Sequence, residues 1–210
     1  MSPRSRPGLV LASGSPRRRE LLALLDWPFE CRPAHLDEPT FAGDRPPAEA
    51  VVRVAEAKVR ASEPIFPDGR VRLGADTVVV HEGESLGQPA DPDEAVWMLE
   101  RQSGSTVEVL TGLAVLRPNG GMRTELVRSE LDLRPLTRDE IDAYVATGAA
   151  AGKAGALEVQ GAAAPFVTEV RGCWPNVAGL PVCLVGQMLG ASGDELPCPG
   201  PTAGPCRLRP

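Results

Sequence analysis

The sequence predicts a mixed α/β fold, in which a mixed β-sheet is flanked by helices. Two observations lead to this fold class. Apolar stretches of strand length alternate with stretches of helical periodicity, and turns rich in Gly, Pro and Asn separate them. Strands, hairpins and helices follow one another irregularly and without a fixed-period repeat, which favours one mixed sheet with helices packed on it.

The first predicted unit is a strand, a tight polar turn and a helix. Residues 9–12 form a short apolar run that is typical of a buried strand. Ser15 suits the N-cap of the following helix and Pro16 suits its first position. Leucines continue the helix up to an expected stop at Trp27 and Pro28.

The middle of the chain predicts a loop, two helices and two strands. They are a polar, proline-rich loop at 37–47, a helix at about 48–62, a strand at 70–80, a short strand that follows a turn at 81–84 and ends near Gly87, and a helix that opens at 91–94 and ends at 103–104.

The remaining elements complete one domain. They are a strand at 107–116, a hairpin turn at 118–121, a strand at 126–133, a helix from a capping box at 137–140 through Tyr144, a loop at 148–161, a strand at 166–170, and a last helix or strand–helix unit at 180–189. We expect the domain to cover residues 8–190 and the Pro- and Gly-rich tail, 191–210, to be disordered.

Composition excludes several classes of function. The net charge of −6 argues against a nucleic-acid polymer or an anionic membrane as partner, because both need a basic surface. No apolar run approaches the ~20 residues of a membrane span, so a cytoplasmic location is expected. Five cysteines without a C-x-x-C pair argue against a structural zinc site or a disulfide framework, and reduced thiols are expected.

The turn at residues 13–19 is a candidate anion site. It contains Ser13, Ser15, Arg17 and Arg18, and it stands between a strand and a helix N-terminus, where free backbone N–H groups and the helix dipole favour an anion. The alternative is a capped helix whose arginines are solvated.

Asp76 interrupts a strand that otherwise looks buried. Because a buried carboxylate is costly without partners, a metal ion, a basic side chain or a role as general base is expected to hold it. In the alternative, the strand ends near Gly74 and Asp76 caps a turn.

Two lysines are further candidates. Lys58 lies on the apolar face of its predicted helix, and it either enters a cleft or extends its charge outward to solvent. Lys153 lies in a loop of small residues where a backbone can approach a ligand, and its alternative is an ordinary exposed loop lysine. The Walker, Rossmann, H-E-x-x-H and G-x-S-x-G motifs are absent.

Five short motifs in order resemble one known family. They are LASGSPRR at 11–18, GADTVV at 74–79, TG at 111–112, KAGA at 153–156 with QG at 160–161, and NVAGLP at 176–181. Over roughly residues 8–190 the chain resembles the Maf-type nucleoside triphosphate pyrophosphatases. The resemblance implies hydrolysis between the α and β phosphates with Mg²⁺ or Mn²⁺. It also implies an elongated mixed β-sheet flanked by helices, with two lobes around a central cleft, as in the inosine triphosphate pyrophosphatases, and often a homodimer.

The resemblance also implies roles for individual residues. Asp76 matches the catalytic acid–base residue and touches the metal, which Glu38 also helps to hold. Arg17, Thr77 and Gln160 match the positions that select the substrate. The positions along the phosphate path match Ser13, Ser15, Arg18, Lys58 and Lys153.

Within the family, Arg17, Thr77 and Gln160 look like the branch that acts on dTTP and UTP rather than the branch that prefers 7-methyl-GTP. One departure is Gln88, which stands where the family usually has a lysine and removes a positive charge from the phosphate path. Two alternatives stay open: a nucleotide-binding regulator of cell division and septum formation with incidental turnover, and a phosphohydrolase that releases orthophosphate.

Overall fold

The computed structural model describes residues 8–34, 36, 42–62 and 68–191. Its strands are β1 Leu9–Leu11, β2 Phe29–Cys31, β3 Val71–His81, β4 Glu84–Leu86, β5 Thr106–Leu116, β6 Met122–Leu133 and β7 Val167–Arg171. Its helices are α1 Pro16–Ala23, α2 Pro47–Ala61, α3 Pro92–Gln102, α4 Arg138–Ala146, α5 Trp174–Val177 and α6 Val182–Leu189.

The predicted fold class is confirmed, the predicted end of the first helix is wrong, and strand β2 and helix α5 were not predicted. Strand β2 was not predicted, because its three residues carry no alternating pattern of their own. Helix α1 ends at Ala23 rather than at Trp27, since Leu24 and Leu25 donate to carbonyls three residues back and Asp26 takes a left-handed φ of 48°. Residues 37–41 of the predicted loop at 37–47 lie outside the described residues, as does the predicted disordered tail apart from Ala191.

Three of the five cysteines lie in the described part of the chain. Cys31, Cys173 and Cys183 are free thiols, and the other two cysteines lie outside the described residues. In the ranges that the structure describes, no helix combines the length and the apolarity needed to cross a membrane.

The sheet is mixed, with strand order β2-β1-β3-β5-β6-β7. Strand β1 pairs in parallel with β2 and β3. The pairs β3–β5, β5–β6 and β6–β7 are antiparallel. Helices separate the parallel strands along the chain, and the turn at 118–121 joins β5 to β6.

One edge of β3 is left open at its centre. Strand β5 pairs with β3 from Arg72 to Val80 on one side. On the other side, β1 pairs with the first three residues of β3, and β4 pairs with the last three, from Val79 to His81. Among the described residues no strand covers positions 74–78 on that side, so this edge is available for side chains and ligands.

The two faces of the sheet are packed differently. Alternate side chains of β3 point to opposite faces, so Ala75 and Val79 share one face while Asp76 and Val78 share the other. On the first face, one apolar core contains Ala75 with α1 and α6, and another contains Val79 with α3 and α4. Helix α2 covers the second face. The two cores on one face correspond to two lobes with the centre of β3 between them.

Two glycines let α2 lie directly on the sheet. A Cβ at Gly74 would lie 2.4 Å from the carbonyl oxygen of Ala55, and one at Gly112 would lie 2.4 Å from the carbonyl carbon and oxygen of Val51. Gly112 pairs with Asp76 in the β3–β5 ladder. The absence of a side chain at Gly112 therefore allows the helix to approach the strand next to Asp76.

We expect Gly112→Ala to destabilise the protein by about 1–3 kcal/mol, because α2 must shift away from the sheet to make room for the methyl group. Urea denaturation of the two proteins measures the difference. Gly87→Ala is the matched control, since a Cβ at Gly87 meets no atom within 4 Å, and its free energy of unfolding should change little. Equal stability of the Gly112→Ala and Gly87→Ala proteins would contradict this account.

Candidate active site

A cleft of about 1160 Å³ opens at the uncovered edge of β3. Its walls come from the β1–α1 turn, α2, the centre of β3, the loop after α4 and the segment between α5 and α6. Among the described residues its charged side chains are four cations and three acids, namely Arg17, Arg18, Lys58, Lys153, Glu20, Asp76 and Glu158. The cleft thus carries an excess of positive charge in a chain whose net charge is −6.

The structure brings the predicted site residues into this cleft, apart from Glu38, which lies outside the described residues. They come from four separate parts of the chain and are Ser13, Ser15, Arg17, Arg18, Lys58, Asp76, Thr77, Lys153 and Gln160. Their roles in binding and catalysis stay predictions.

Lys58 and Asp76 form the best-buried ion pair of the cleft. The Lys58 Nζ lies 2.7 Å from Asp76 Oδ1, and the two side chains are only 8% and 16% exposed. Asp76 is an internal residue of β3, so the alternative in which it caps a turn after Gly74 is wrong. Lys58 points into the cleft instead of outward to solvent. Removing either partner would leave a poorly hydrated charge, which is strongly unfavourable.

The β1–α1 turn is held by its own serines. Ser15 caps α1, and its Oγ accepts from the backbone N–H of Arg18 at 3.4 Å. The Oγ of Ser13 accepts from the backbone N–H of Ser15 at 3.2 Å. The positive end of the α1 dipole therefore lies at the cleft.

Arg18 bridges the open edge of β3. Its guanidinium donates to the carbonyl oxygen of Ala75 at 2.8 Å, to Thr77 Oγ1 at 3.1 Å and to the carbonyl oxygen of Gly179 at 3.0 Å. A side chain thus satisfies a backbone carbonyl that a neighbouring strand would otherwise satisfy. These contacts favour a positioning role for Arg18 over direct binding of phosphate.

Thr77 lies where the two cores meet. Its hydroxyl is 2.9 Å from the hydroxyl of Thr111, its neighbour on β5, and 3.4 Å from the carbonyl oxygen of Gly179. Gly179 has a φ of +104°, a conformation that favours glycine. The fully buried Asn176 fixes this segment by donating to the carbonyl oxygen of Val109 and to Ser129 Oγ, both at 3.0 Å.

Arg17 and two glutamines line other parts of the cleft. Arg17 pairs with Glu20 one turn along α1 at 3.1 Å, and its buried Nε has no hydrogen-bond partner in the part of the chain that the structure describes. An acceptor on a bound ligand would satisfy that N–H group. Gln160 and Gln88 are exposed side chains of the cleft wall.

The loop that carries Lys153 is anchored by two buried side chains. Gln102 Nε2 donates to the carbonyl oxygens of Gly155 and Met98 at 2.8 and 2.9 Å. Tyr144 donates to the carbonyl oxygen of Ala156 at 2.8 Å and accepts from the backbone N–H of Glu158 at 3.0 Å. Burial raises the pKa of Tyr144 above its usual value, which keeps its donating proton in place.

Glycine is needed where the same loop passes the sheet. Gly155 has a φ of +60°, and a Cβ there would lie 2.8 Å from the Cβ of Val79. The loop is therefore packed against the end of β3 beyond Asp76, and Lys153 enters the cleft from that side.

Sequence reasoning did not single out several residues that shape the cleft. The burial of Gln102 could have been inferred, because this polar residue lies at the helical spacing of the buried Met98 and Leu99. Glu20 also had one, at three residues from Arg17 on a helix. Glu158 had none, since its loop has no periodicity from which a contact follows.

We expect Tyr144→Phe to loosen the loop at 153–158. The hydroxyl's loss leaves a buried carbonyl and an N–H group without their partner, and the free energy of unfolding should fall by about 1–3 kcal/mol. Hydrogen exchange should also become faster at the backbone amide of Glu158. Thr147→Val is the control, because its hydroxyl donates to the carbonyl oxygen of Tyr144 and accepts from the N–H of Ala149, both before residues 153–158, and exchange at Glu158 should not change. Unchanged exchange at Glu158 in Tyr144→Phe would refute the anchoring role.

The chain is similar to known proteins over most of its length. A family model described as Maf-like protein matches residues 8–192. A dTTP/UTP pyrophosphatase of Anaeromyxobacter dehalogenans is 46% identical over 194 residues, which cover 91% of this chain and 97% of that relative. One of Syntrophus aciditrophicus is 45% identical over 187 residues, which cover 89% of this chain and 90% of that relative.

Among solved structures, a HAM1 protein from Coxiella burnetii aligns with a TM-score of 0.40 and 17% identity over 75% of this chain and 90% of that chain. The sequence relatives each cover about nine-tenths of the chain, and the family model spans the residues of the cleft. The chain belongs to the Maf-like protein family.

Proposed function

We propose that the protein is a nucleoside triphosphate pyrophosphatase that hydrolyses the α–β phosphoanhydride of dTTP and UTP to the monophosphate and pyrophosphate. The observation that carries the proposal is the paired Asp76 and Lys58 at the open edge of a strand, in a cleft that gathers cations within an acidic chain. The names of the sequence relatives, dTTP/UTP pyrophosphatases, support the same substrate class.

Asp76 is the proposed general base. Its Oδ1 accepts from Lys58, while Oδ2 makes no hydrogen bond or ion pair to another described residue. Lys58 thereby fixes the carboxylate's orientation and leaves one oxygen to take the proton of the attacking water. The same ammonium group lies beside the position where negative charge develops on phosphate, where fixed positive charge is most effective.

Three groups are proposed to neutralise the triphosphate. They are Lys153, Arg17 and the N-terminal turn of α1 with Ser13 and Ser15. Arg18 supports them indirectly, because its guanidinium holds β3, Thr77 and Gly179 in place. Phosphoryl transfer depends mainly on such positioning and charge neutralisation.

The pyrimidine base is proposed to bind at Gln160. The carboxamide of this exposed residue of the cleft offers one acceptor and two donors, which suit the N3–H and O4 edge of thymine or uracil. Thr77 contributes indirectly, since its hydroxyl bonds to Arg18 and lies beside Thr111 and Gly179.

A divalent cation, Mg²⁺ or Mn²⁺, fits this donor set as part of the proposal. Within the described ranges no three His, Cys, Asp or Glu side chains form a metal-binding group. The Asp76 carboxylate is a hard oxygen donor, and Mg²⁺ is often held by one or two carboxylates together with substrate phosphates. Glu38 is the second proposed ligand on the strength of the sequence. When bound, the ion would supply further neutralisation of phosphate charge.

Cytoplasmic location and assembly as a homodimer stay predictions from the sequence. The regulator of cell division also stays as an alternative, because Gln88 lines the cleft without the positive charge expected there.

Product identity distinguishes the alternatives. Purified protein with Mg²⁺ or Mn²⁺ is incubated with dTTP, UTP and 7-methyl-GTP, and monophosphate, pyrophosphate and orthophosphate are quantified separately. We expect equal amounts of monophosphate and pyrophosphate, with dTTP and UTP preferred over 7-methyl-GTP. Release of orthophosphate with a diphosphate product would overturn the proposal, and tight triphosphate binding without any product would favour the regulator.

The same assay tests the proposed base. Asp76→Asn keeps an oxygen that accepts from Lys58 but cannot take up the proton, so kcat should fall by about 10²–10⁴-fold. Asp142→Asn is the control, because it removes one carboxylate charge from an exposed pair with Arg138 on α4. Asp142→Asn should keep full activity. Undiminished turnover by a folded Asp76→Asn protein would assign the base elsewhere.

A further inference from the structure

Glu158 forms an ion pair with Lys153 in the cleft. The Lys153 Nζ lies 3.1 Å from Glu158 Oε1, and the side chains are 34% and 27% exposed. The carboxylate also lies against the loop that follows, since a Cβ at Gly161 would come within 2.4 Å of Glu158 Oε2. Glu158 is thus an anion placed on a cation that the proposed function assigns to the substrate's phosphates.

The backbone of this loop is fixed at several residues that follow Lys153. Gln102 and Tyr144 hold the carbonyl oxygens of Gly155 and Ala156, and Tyr144 also holds the N–H of Glu158. Because the backbone is held by other groups, the ion pair is not needed to maintain the loop. Glu158 Oε2 accepts from the backbone N–H of Ala162 at 3.5 Å, and rotation of the flexible lysine side chain opens the pair at Oε1 without breaking that bond.

The pair differs from Lys58–Asp76 in how readily it opens. Lys58 and Asp76 are 8% and 16% exposed, so separating them leaves poorly hydrated charges. Lys153 and Glu158 are accessible to water, where ion pairs are weak and the separated charges are hydrated. A polyphosphate, which carries several negative charges, can therefore displace the single carboxylate from Lys153.

We infer that Glu158 is an affinity-setting residue, a built-in competitor that weakens the binding of triphosphate substrate and pyrophosphate product through Lys153. The inference rests on the proposed function. In the empty cleft Glu158 neutralises Lys153. On binding, phosphate oxygens replace the carboxylate, and on product release the carboxylate returns to Lys153 and opposes rebinding of pyrophosphate.

Removing the charge of Glu158 tests this inference. Glu158→Gln keeps the size and a hydrogen-bonding oxygen but no longer competes as an anion. The KM for dTTP and the inhibition constant of pyrophosphate should both fall by about two- to fivefold, as expected for an exposed ion pair. The value of kcat should not rise. Glu108→Gln is the control, because it removes the same charge from an exposed pair with Arg128 outside the cleft and should change neither constant.

A double-mutant cycle separates this role from a structural one. Calorimetric titration with pyrophosphate is carried out on the full chain, on Glu158→Gln, on Lys153→Met and on the double variant. Lys153→Met should weaken binding, and Glu158→Gln should strengthen binding only where Lys153 is present. An effect of Glu158→Gln that persists without Lys153, or weaker or unchanged binding in the Glu158→Gln single variant, overturns the inference. Unchanged binding in Lys153→Met would instead refute the phosphate-binding role of Lys153 within the proposed function.

Discussion

The uncovered edge of β3 is the constraint on which the rest of the cleft depends. β1 and β4 pair with the two ends of the same edge and leave positions 74–78 without a neighbouring strand in the described structure. Backbone groups along such an edge need other partners. Arg18 supplies one by donating to the carbonyl oxygen of Ala75, and the same guanidinium ties Thr77 and Gly179 to the edge. A gap in strand pairing thereby becomes a site with polar walls.

The second contribution to the cleft is the close packing of α2 on the face of the sheet that carries Asp76. Gly74 and Gly112 allow the helix backbone to contact the sheet, and Lys58 reaches Asp76 across this contact. Three of the four described cations of the cleft are paired before any ligand arrives: Lys58 with Asp76, Arg17 with Glu20, and Lys153 with Glu158. Pairing reduces the mutual repulsion of these cations, and burial determines which pairs a polyanion can open.

Local patterns were sufficient to predict most of the fold and to single out Asp76, Lys58, Lys153 and the turn at 13–19, whereas Thr77 and Gln160 followed only from the family resemblance. The capping box at Thr137 and Glu140 forms as expected, and so does the Ser15 cap of α1. Both signals lie within a few residues of the element that they define. The contacts of Gln102 and Glu158 depend instead on how a non-periodic loop packs against distant elements, and β2 depends on its pairing with β1. Such long-range contacts have no local pattern in the sequence from which to infer them.

The central claim is that the triphosphate lies along the open edge of β3 with its scissile bond at Asp76. A crystal structure of the Asp76→Asn variant with dTTP and Mg²⁺ tests it most directly. The account predicts phosphate oxygens within hydrogen-bond distance of Lys58, Lys153 and the turn at 13–15, with the α–β bridging oxygen nearest position 76. A triphosphate bound outside this cleft, or one whose β–γ bridge lies nearest position 76, would contradict it.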